Sequence, residues 1–283
     1  AGHGAGSRIG RALFAALGCE AVIEGGSPDG LFEHRPEPTA ENLVDWLPRI
    51  PASGADVGFF QDPDADRLAI ATAEGRYVGE ECTLALAVDN VLSRTKGPVV
   101  VNCSSSAMTA AIAARHGVPC RVSAVGEANV VDRMLAEGAV IGGEGNGGVI
   151  HPGVVLVRDS AVAMALVLDA MCRGDSPRSV ESLAAALPKL VMEKAKVDLD
   201  PSTTGPGLVA ALERLEKAFP GARADRLDGL RLDWPGGWLL VRASNTEPIV
   251  RIVAEERSEE GVREAIDRAR AAIVGRDEGS PRR

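Results

Sequence analysis

The chain has 283 residues, 45% of them apolar, with 31 Lys and Arg against 40 Asp and Glu for a formal net charge of −9. That length suffices for two or three domains, each able to bury a core, and the acidic balance without a basic stripe excludes a nucleic-acid footprint while allowing small anions at local clusters. No run of about 18 apolar residues and no basic-then-apolar leader appears, and five scattered cysteines without a CxxC pair exclude a zinc or disulfide framework, so no membrane partner, reduced thiols and a cytoplasmic location are expected.

In chain order, Arg8 to Leu17 has helical periodicity and stops at Gly18. Cys19 to Ile23 reads as a strand, Asn42 to Leu47 as a helix, and Val57 to Phe60 as an apolar strand. Leu84 to Leu92 predicts a helix, Pro98 to Asn102 a strand, and Ala107 to His116 a helix closed by Gly117, with His116 as its cap. Cys120 to Ala124 follows as a strand, and Val130 to Glu137 as a helix closed by Gly138. The apolar stretch Ser160 to Met171 predicts another helix. Leu190 to Val197 then reads as a strand and Gly207 to Ala218 as an amphipathic helix. Leu230 to Trp234 and Trp238 to Arg242 form a hairpin around Pro235-Gly236-Gly237, Ile249 to Ala254 is a strand, and Glu259 to Val274 closes as a helix. The alternation predicts an α/β protein with two mixed or parallel sheet domains followed by an α+β C-terminal domain. The expected limits are 1–80, 81–187 and 188–275, with a polar tail at 276–283.

Three stretches carry chemistry. Asp62-Pro63-Asp64-Ala65-Asp66 alternates three carboxylates just after an apolar strand, with Arg67 behind them. A curled loop can converge all three on one hard cation such as Mg²⁺, which keeps positions open for substrate phosphate. A Ca²⁺ loop of EF-hand type does not fit, because positions six and twelve hold Arg67 and Ala73. A solvated acidic turn is the plainer alternative. The second stretch, Gly142 to Gly148, sets Glu144 and Asn146 among five glycines. Such a loop lets a ligand approach the backbone while the acid and amide meet hydroxyls, or is simply flexible. The third, Arg242 to Pro248, lies between two strands with Arg251 beyond it. Ser244, Asn245 and Thr246 can build an anion nest to which Arg242 and Arg251 add charge-assisted hydrogen bonds; an ordinary polar turn is the alternative. Gly4-x-Gly6-x-x-x-Gly10 is only a loose dinucleotide fingerprint, with Ile9 at its third glycine position. Ser104-Ser105-Ser106 reads as a strand-to-helix turn with an N-capping serine rather than a nucleophile.

Together the three stretches resemble the α-D-phosphohexomutase family in their order. Asp62 to Arg67 is similar to its DGDGDR-type metal loop, Gly143 to Gly147 to its GExSG-type sugar loop, and Arg242 to Pro248 to its RxSNTEP phosphate loop. The opening Gly4-Ala5-Gly6-Ser7 looks like the start of that family's second domain. The sugar loop, with Val125-Gly126-Glu127-Ala128-Asn129-Val130 upstream, is most similar to phosphoglucosamine mutases of the archaeal type; phosphomannomutase and phosphoglucomutase stand close behind.

The resemblance implies Mg²⁺ on Asp62, Asp64 and Asp66, Arg67 on the transferring phosphoryl group, and Glu144, Asn146 and Glu127 on the sugar. It implies Arg242, Ser244, Asn245, Thr246 and Arg251 on the distal phosphate. The reaction implied moves phosphate within a phosphorylated hexose or hexosamine, glucosamine 6-phosphate to glucosamine 1-phosphate, through a hexose 1,6-bisphosphate. Two departures stand out. No TASHNP-type phosphoserine segment occurs, so the N-terminal serine domain is expected to be missing and the chain to be inactive by itself; Gly148 stands where some members have a histidine. A HAD-like phosphatase and a non-catalytic sugar-phosphate-binding relative are the competing readings.

Overall fold

The computed structural model describes residues 2–32, 35–198, 206–243 and 249–274. It forms two compact units, residues 1–188 and 189–283. The first opens with α1 (Gly6–Leu17), which ends at Gly18 in the left-handed conformation, and continues through α2 (Arg49–Ser53) to β1 (Val57–Gln61) and β2 (Leu68–Thr72). Then come α3 (Glu80–Leu92), β3 (Val99–Asn102), α4 (Ala107–Arg115), β4 (Cys120–Ser123), α5 (Glu127–Glu137), β5 (Ile141–Glu144), β6 (Gly148–Ile150), α6 (Ser160–Met171) and α7 (Val180–Ala185).

The second sheet of this unit runs β4-β3-β5-β6. Strand β3 is parallel to both neighbours, and β6 returns antiparallel to β5. The run Val99-Val100-Val101-Asn102 is buried throughout, as a central parallel strand covered on both faces requires. Helix α3 packs against α6, and both are largely buried, which explains why they are apolar around most of their circumference. The cap reading of the serine run holds: the Ser106 side chain accepts from Met108 N–H at the start of α4. His116 is the C-cap residue of that helix, and its Nε2 lies 2.7 Å from Asp89 Oδ1.

Three expectations for the first 80 residues do not hold. Cys19 to Ile23 forms no strand, because no neighbouring segment among the described residues supplies a ladder for its backbone. Asn42 to Leu47 is a series of turns rather than a helix; Pro48 lacks an N–H and prevents the turns from propagating, so regular helix begins only at Arg49. The sheet here is not parallel but a two-stranded antiparallel pair, β1 with β2, in which Gln61 faces Leu68. Strand β2 was not foreseen: Leu68-Ala69-Ile70-Ala71-Thr72 is fully buried and lacks the period-two alternation that marks a half-exposed strand. None of the five cysteines is in a disulfide; Cys103 is buried and Cys172 exposed.

The second unit comprises β7 (Val191–Asp198), α8 (Pro206–Ala218), β8 (Arg223–Asp225), β9 (Leu230–Trp234), β10 (Gly237–Ala243), β11 (Ile249–Glu256) and α9 (Glu259–Val274). Its sheet is antiparallel throughout, in the order β7-β11-β10-β9-β8. Leu239, Val241, Val250 and Ile252 pack with Leu215 of α8, with Phe219 just past its end, and with Val262, Ile266 and Ala269 of α9. Side chains alternate along a strand, so Trp238, Leu240 and Arg242 point to the opposite face. The hairpin at Pro235-Gly236 forms as read, with Trp234 opposite Gly237. Among the described residues no helix is long and apolar enough to cross a membrane.

Candidate functional site

The acidic stretch is the loop of the β1–β2 hairpin. Asp62 follows the last residue of β1, and Arg67 precedes the first residue of β2. The curl is made at Ala65, whose φ of 62° lies in the left-handed region that a residue with a Cβ seldom adopts. The loop is held there by both sides of the fold. Pro63 C=O accepts from Ala5 N–H at 2.8 Å, and Ala65 C=O accepts from Ser160 N–H at 3.1 Å and Ser160 Oγ at 2.6 Å. Gln61 Nε2 in turn donates to Ser160 Oγ at 2.7 Å. The entry to α1 and the first residue of α6 therefore fix the hairpin loop.

The curl brings one carboxylate oxygen from each of Asp62, Asp64 and Asp66 within 4.8 Å of one another. Asp62 is 1% exposed, and its two oxygens accept from Arg67 N–H at 3.0 Å and Arg67 Nε at 2.6 Å. Arg67 Nε also lies 3.4 Å from Asp66 Oδ1 and Nη1 3.3 Å from Glu37. Asp66 Oδ1 is buried without a hydrogen-bond partner. Burial, then the hydrogen bond and charge of Asp62, push the Asp66 carboxyl up to about 7; Arg158 opposes the shift and Asp64 adds to it. A hard oxygen donor set, a buried oxygen lacking a partner and mutual repulsion among the acids all fit a divalent cation such as Mg²⁺.

The glycine-rich stretch is the hairpin loop between β5 and β6, where Glu144 faces Gly148. It lies directly on the acidic hairpin. Leu68 N–H donates to Gly147 C=O at 3.1 Å, and a Cβ on Gly147, at φ 88°, would sit 2.4 Å from Leu68 O. Only glycine permits that approach. Asn146 Oδ1 accepts from Gly148 N–H at 3.2 Å and tightens the turn. Glu144 is 3% exposed; its Oε1 accepts from Asn102 Nδ2 at 2.6 Å and Gly126 N–H at 2.9 Å, and its Oε2 from Arg158 Nη1. Glu127, the first residue of α5, accepts from Arg158 N–H at 2.8 Å and Nε at 3.3 Å. Glu144 and Glu127 are thus held within one network through Arg158.

Arg158 is the residue sequence reasoning missed. It precedes Asp159, which caps α6 by accepting from Ala161 and Val162 N–H. A lone arginine at the head of an apolar helix, with no motif around it, gives only a weak signal. Asn102 was passed over too; a polar residue ending a valine strand was its only mark.

In the second unit, Arg242 on β10 stands directly opposite Arg251 on β11, which stands opposite Lys196 on β7. Arg242 Nε reaches Asp228 Oδ1 at 3.3 Å. Like charges in register on neighbouring strands repel, so this row favours an anion beside it. Ser244, Asn245 and Thr246 lie outside the described residues.

Models of the phosphoglucomutase/phosphomannomutase family match nearly the whole chain: domain II over residues 1–75, domain III over 80–191 and the C-terminal domain over 194–272. The chain belongs to the α-D-phosphohexomutase family. This membership sets aside the HAD-like phosphatase reading. A phosphoglucomutase/phosphomannomutase of Thermococcus kodakarensis is 37% identical over 267 residues, 94% of this chain and 58% of its own length. A protein of Methanopyrus kandleri carrying a phosphoglucosamine mutase name is 36% identical over 255 residues, 89% of this chain and 55% of its own. The chain thus spans a little over half the length of these relatives. A phosphoglucomutase/phosphomannomutase family structure from Burkholderia thailandensis superposes with a TM-score of 0.82 at 29% identity, over 99% of this chain and 60% of that one. The Aspergillus fumigatus N-acetylphosphoglucosamine mutase in complex with GlcNAc-6P and magnesium shares the fold, with a TM-score of 0.63 at 18% identity over 95% of this chain and 63% of that one.

Proposed function

We propose that this chain supplies the cation, sugar and distal-phosphate subsites of a mutase that interconverts glucosamine 6-phosphate and glucosamine 1-phosphate. The observation that supports the reading is the seating of the glycine-rich hairpin on the acidic hairpin, which brings the two loops into direct contact. Family membership and the names of the relatives support the reaction class. The hexosamine is favoured over mannose or glucose by the likeness of the Gly143 to Ile150 loop to phosphoglucosamine mutases.

In this reading Asp62, Asp64 and Asp66 hold Mg²⁺, which when bound neutralises charge on the transferring phosphoryl group. Arg67 orients Asp62 and offers its remaining N–H groups to phosphoryl oxygens. Asn146 meets sugar hydroxyls, and Glu144 and Glu127 do so by exchanging part of their internal hydrogen bonding. Arg242 and Arg251, with Ser244, Asn245 and Thr246, hold the phosphate that is not reacting, and this remote grip orients the sugar. The functional regions are 1–80 for the cation, 81–187 for the sugar and 188–275 for the phosphate. A phosphoserine from outside residues 1–283 starts the cycle, a hexose 1,6-bisphosphate is its intermediate and activator, and the reaction is cytoplasmic.

The test is turnover. Purified residues 1–283 with Mg²⁺ and glucose 1,6-bisphosphate should not interconvert the two glucosamine phosphates, and a separately prepared family domain carrying a TASHNP-type serine should restore conversion. Rapid turnover by residues 1–283 alone would contradict the serine requirement. Tight sugar-phosphate binding with no turnover in any combination would favour the non-catalytic binding relative.

A further inference from the structure

One guanidinium joins the two hairpin loops. Arg158 Nη2 pairs with Asp66 Oδ2 and Nη1 with Glu144 Oε2, while Nε and the backbone N–H of Arg158 both meet Glu127 Oε2. The three carboxylates come from three elements: the β1–β2 loop, the end of β5 and the start of α5. Arg158 itself is 20% exposed, so these contacts are little screened by water. Its partners use the fork-shaped donor set of arginine, which a lysine ammonium cannot reproduce.

The division of Asp66 matters most. Its Oδ2 is taken by Arg158, whereas its Oδ1 is buried without a hydrogen-bond partner, 3.4 Å from Arg67 Nε. Arg158 thus engages one oxygen of Asp66 and leaves the other without a hydrogen-bond donor. The same guanidinium fixes Glu144, whose other oxygen is held by Asn102 and Gly126. We propose that Arg158 is a positioning residue that sets the cation-binding carboxylate of Asp66 and the buried carboxylate of Glu144 relative to each other through one fork of hydrogen bonds. The inference rests on the reading of Asp62, Asp64 and Asp66 as a cation site and adds that the site is shaped from outside its own loop.

Electrostatics alone makes the opposite forecast, which renders the idea testable. If Arg158 were only a nearby positive charge, removing it would tighten cation binding, and Arg158→Lys would change nothing. As a positioning residue it behaves like an outer-shell partner, whose loss costs roughly 10-fold or more in metal affinity. Calorimetric titration of Mn²⁺ into residues 1–283 separates the two. The expected result is saturable binding by the wild type, weakened about tenfold in both Arg158→Gln and Arg158→Lys. Glu127→Gln, which loosens Arg158 from α5 and leaves the acidic loop intact, should weaken Mn²⁺ in the same direction by a smaller factor, and thermal melting confirms that each variant is folded. Unchanged or tighter Mn²⁺ binding by folded Arg158→Gln, or wild-type affinity in Arg158→Lys, overturns the positioning role while leaving the cation site standing. Absence of Mn²⁺ binding by the wild type overturns the cation site and the inference with it.

Discussion

The acidic hairpin of the first unit and the basic row of the second solve opposite problems. At residues 62–67 three carboxylates are forced together, and the fold fixes them with bonds from α1, α6, Arg67 and Arg158. Repulsion is accepted there because the surrounding structure over-determines the loop, and what remains is one buried oxygen suited to a cation. On the sheet of the second unit Lys196, Arg251 and Arg242 lie in one cross-strand row, set by strand register alone. The first arrangement needs a precisely curled backbone; the second needs only pairing without slippage. On the proposed reading, a site for a small cation is built by a strained loop with many tethers, and a site for a bulky anion by regular sheet geometry.

The sharpest way to break the contrast is to remove a cation ligand. Asp64→Asn should reduce Mg²⁺ affinity by more than the ~10–100-fold that outer-shell changes cost, read by calorimetry. Equal binding by variant and wild type would reduce the hairpin to a solvated turn.

Next in size is the basic row. Arg242→Ala should weaken glucosamine 6-phosphate about tenfold or more, the loss of one charge-assisted hydrogen bond of roughly 1.5–3 kcal/mol, and leave unphosphorylated glucosamine unaffected. Raised salt should reproduce part of the loss through screening. Parity between variant and wild type at low salt would make the loop structural.

A smaller effect follows from acidity. The Asp66 carboxyl, raised to about 7 by burial and by Asp62, holds a proton against the cation, so Mg²⁺ affinity should fall as pH drops below about 7 and level off above it. The sign for stability is opposite. A carboxyl whose folded value is raised contributes stability that is fully present below its unfolded value and is lost as pH rises through about 7. The rise in melting temperature on adding Mg²⁺ should therefore be larger at pH 8 than at pH 6; a flat profile would contradict the assignment. Smallest of all, Ala65→Gly should change stability by no more than about 1 kcal/mol, since relief of the left-handed φ is offset by backbone entropy. A large loss in chemical denaturation would show that the Ala65 methyl group packs rather than strains.

Much of this was legible in the chain. Spacing alone marked Asp62, Asp64 and Asp66, because alternating acids after an apolar strand are a local pattern. Helices closed by Gly18, Gly117 and Gly138 were legible for the same reason, as left-handed caps leave a single-residue mark. Cys19 to Ile23 misled because strand formation depends on a partner, which composition does not report. Arg158 escaped because its role exists only when three segments distant in sequence converge on it. The tight internal bonding of Glu144 escaped likewise, since Asn102 lies 42 residues away. Local chemistry is written in local residues; the links between loops are written in topology.

The most direct test of the central reading is calorimetric titration of glucosamine 6-phosphate into residues 1–283, with and without Mg²⁺, and of glucosamine in parallel. The account predicts saturable binding that is much tighter with the phosphate than without it, strengthens with Mg²⁺ and weakens about tenfold or more in Arg242→Ala. No binding, or equal binding of glucosamine with and without its phosphate, would contradict it.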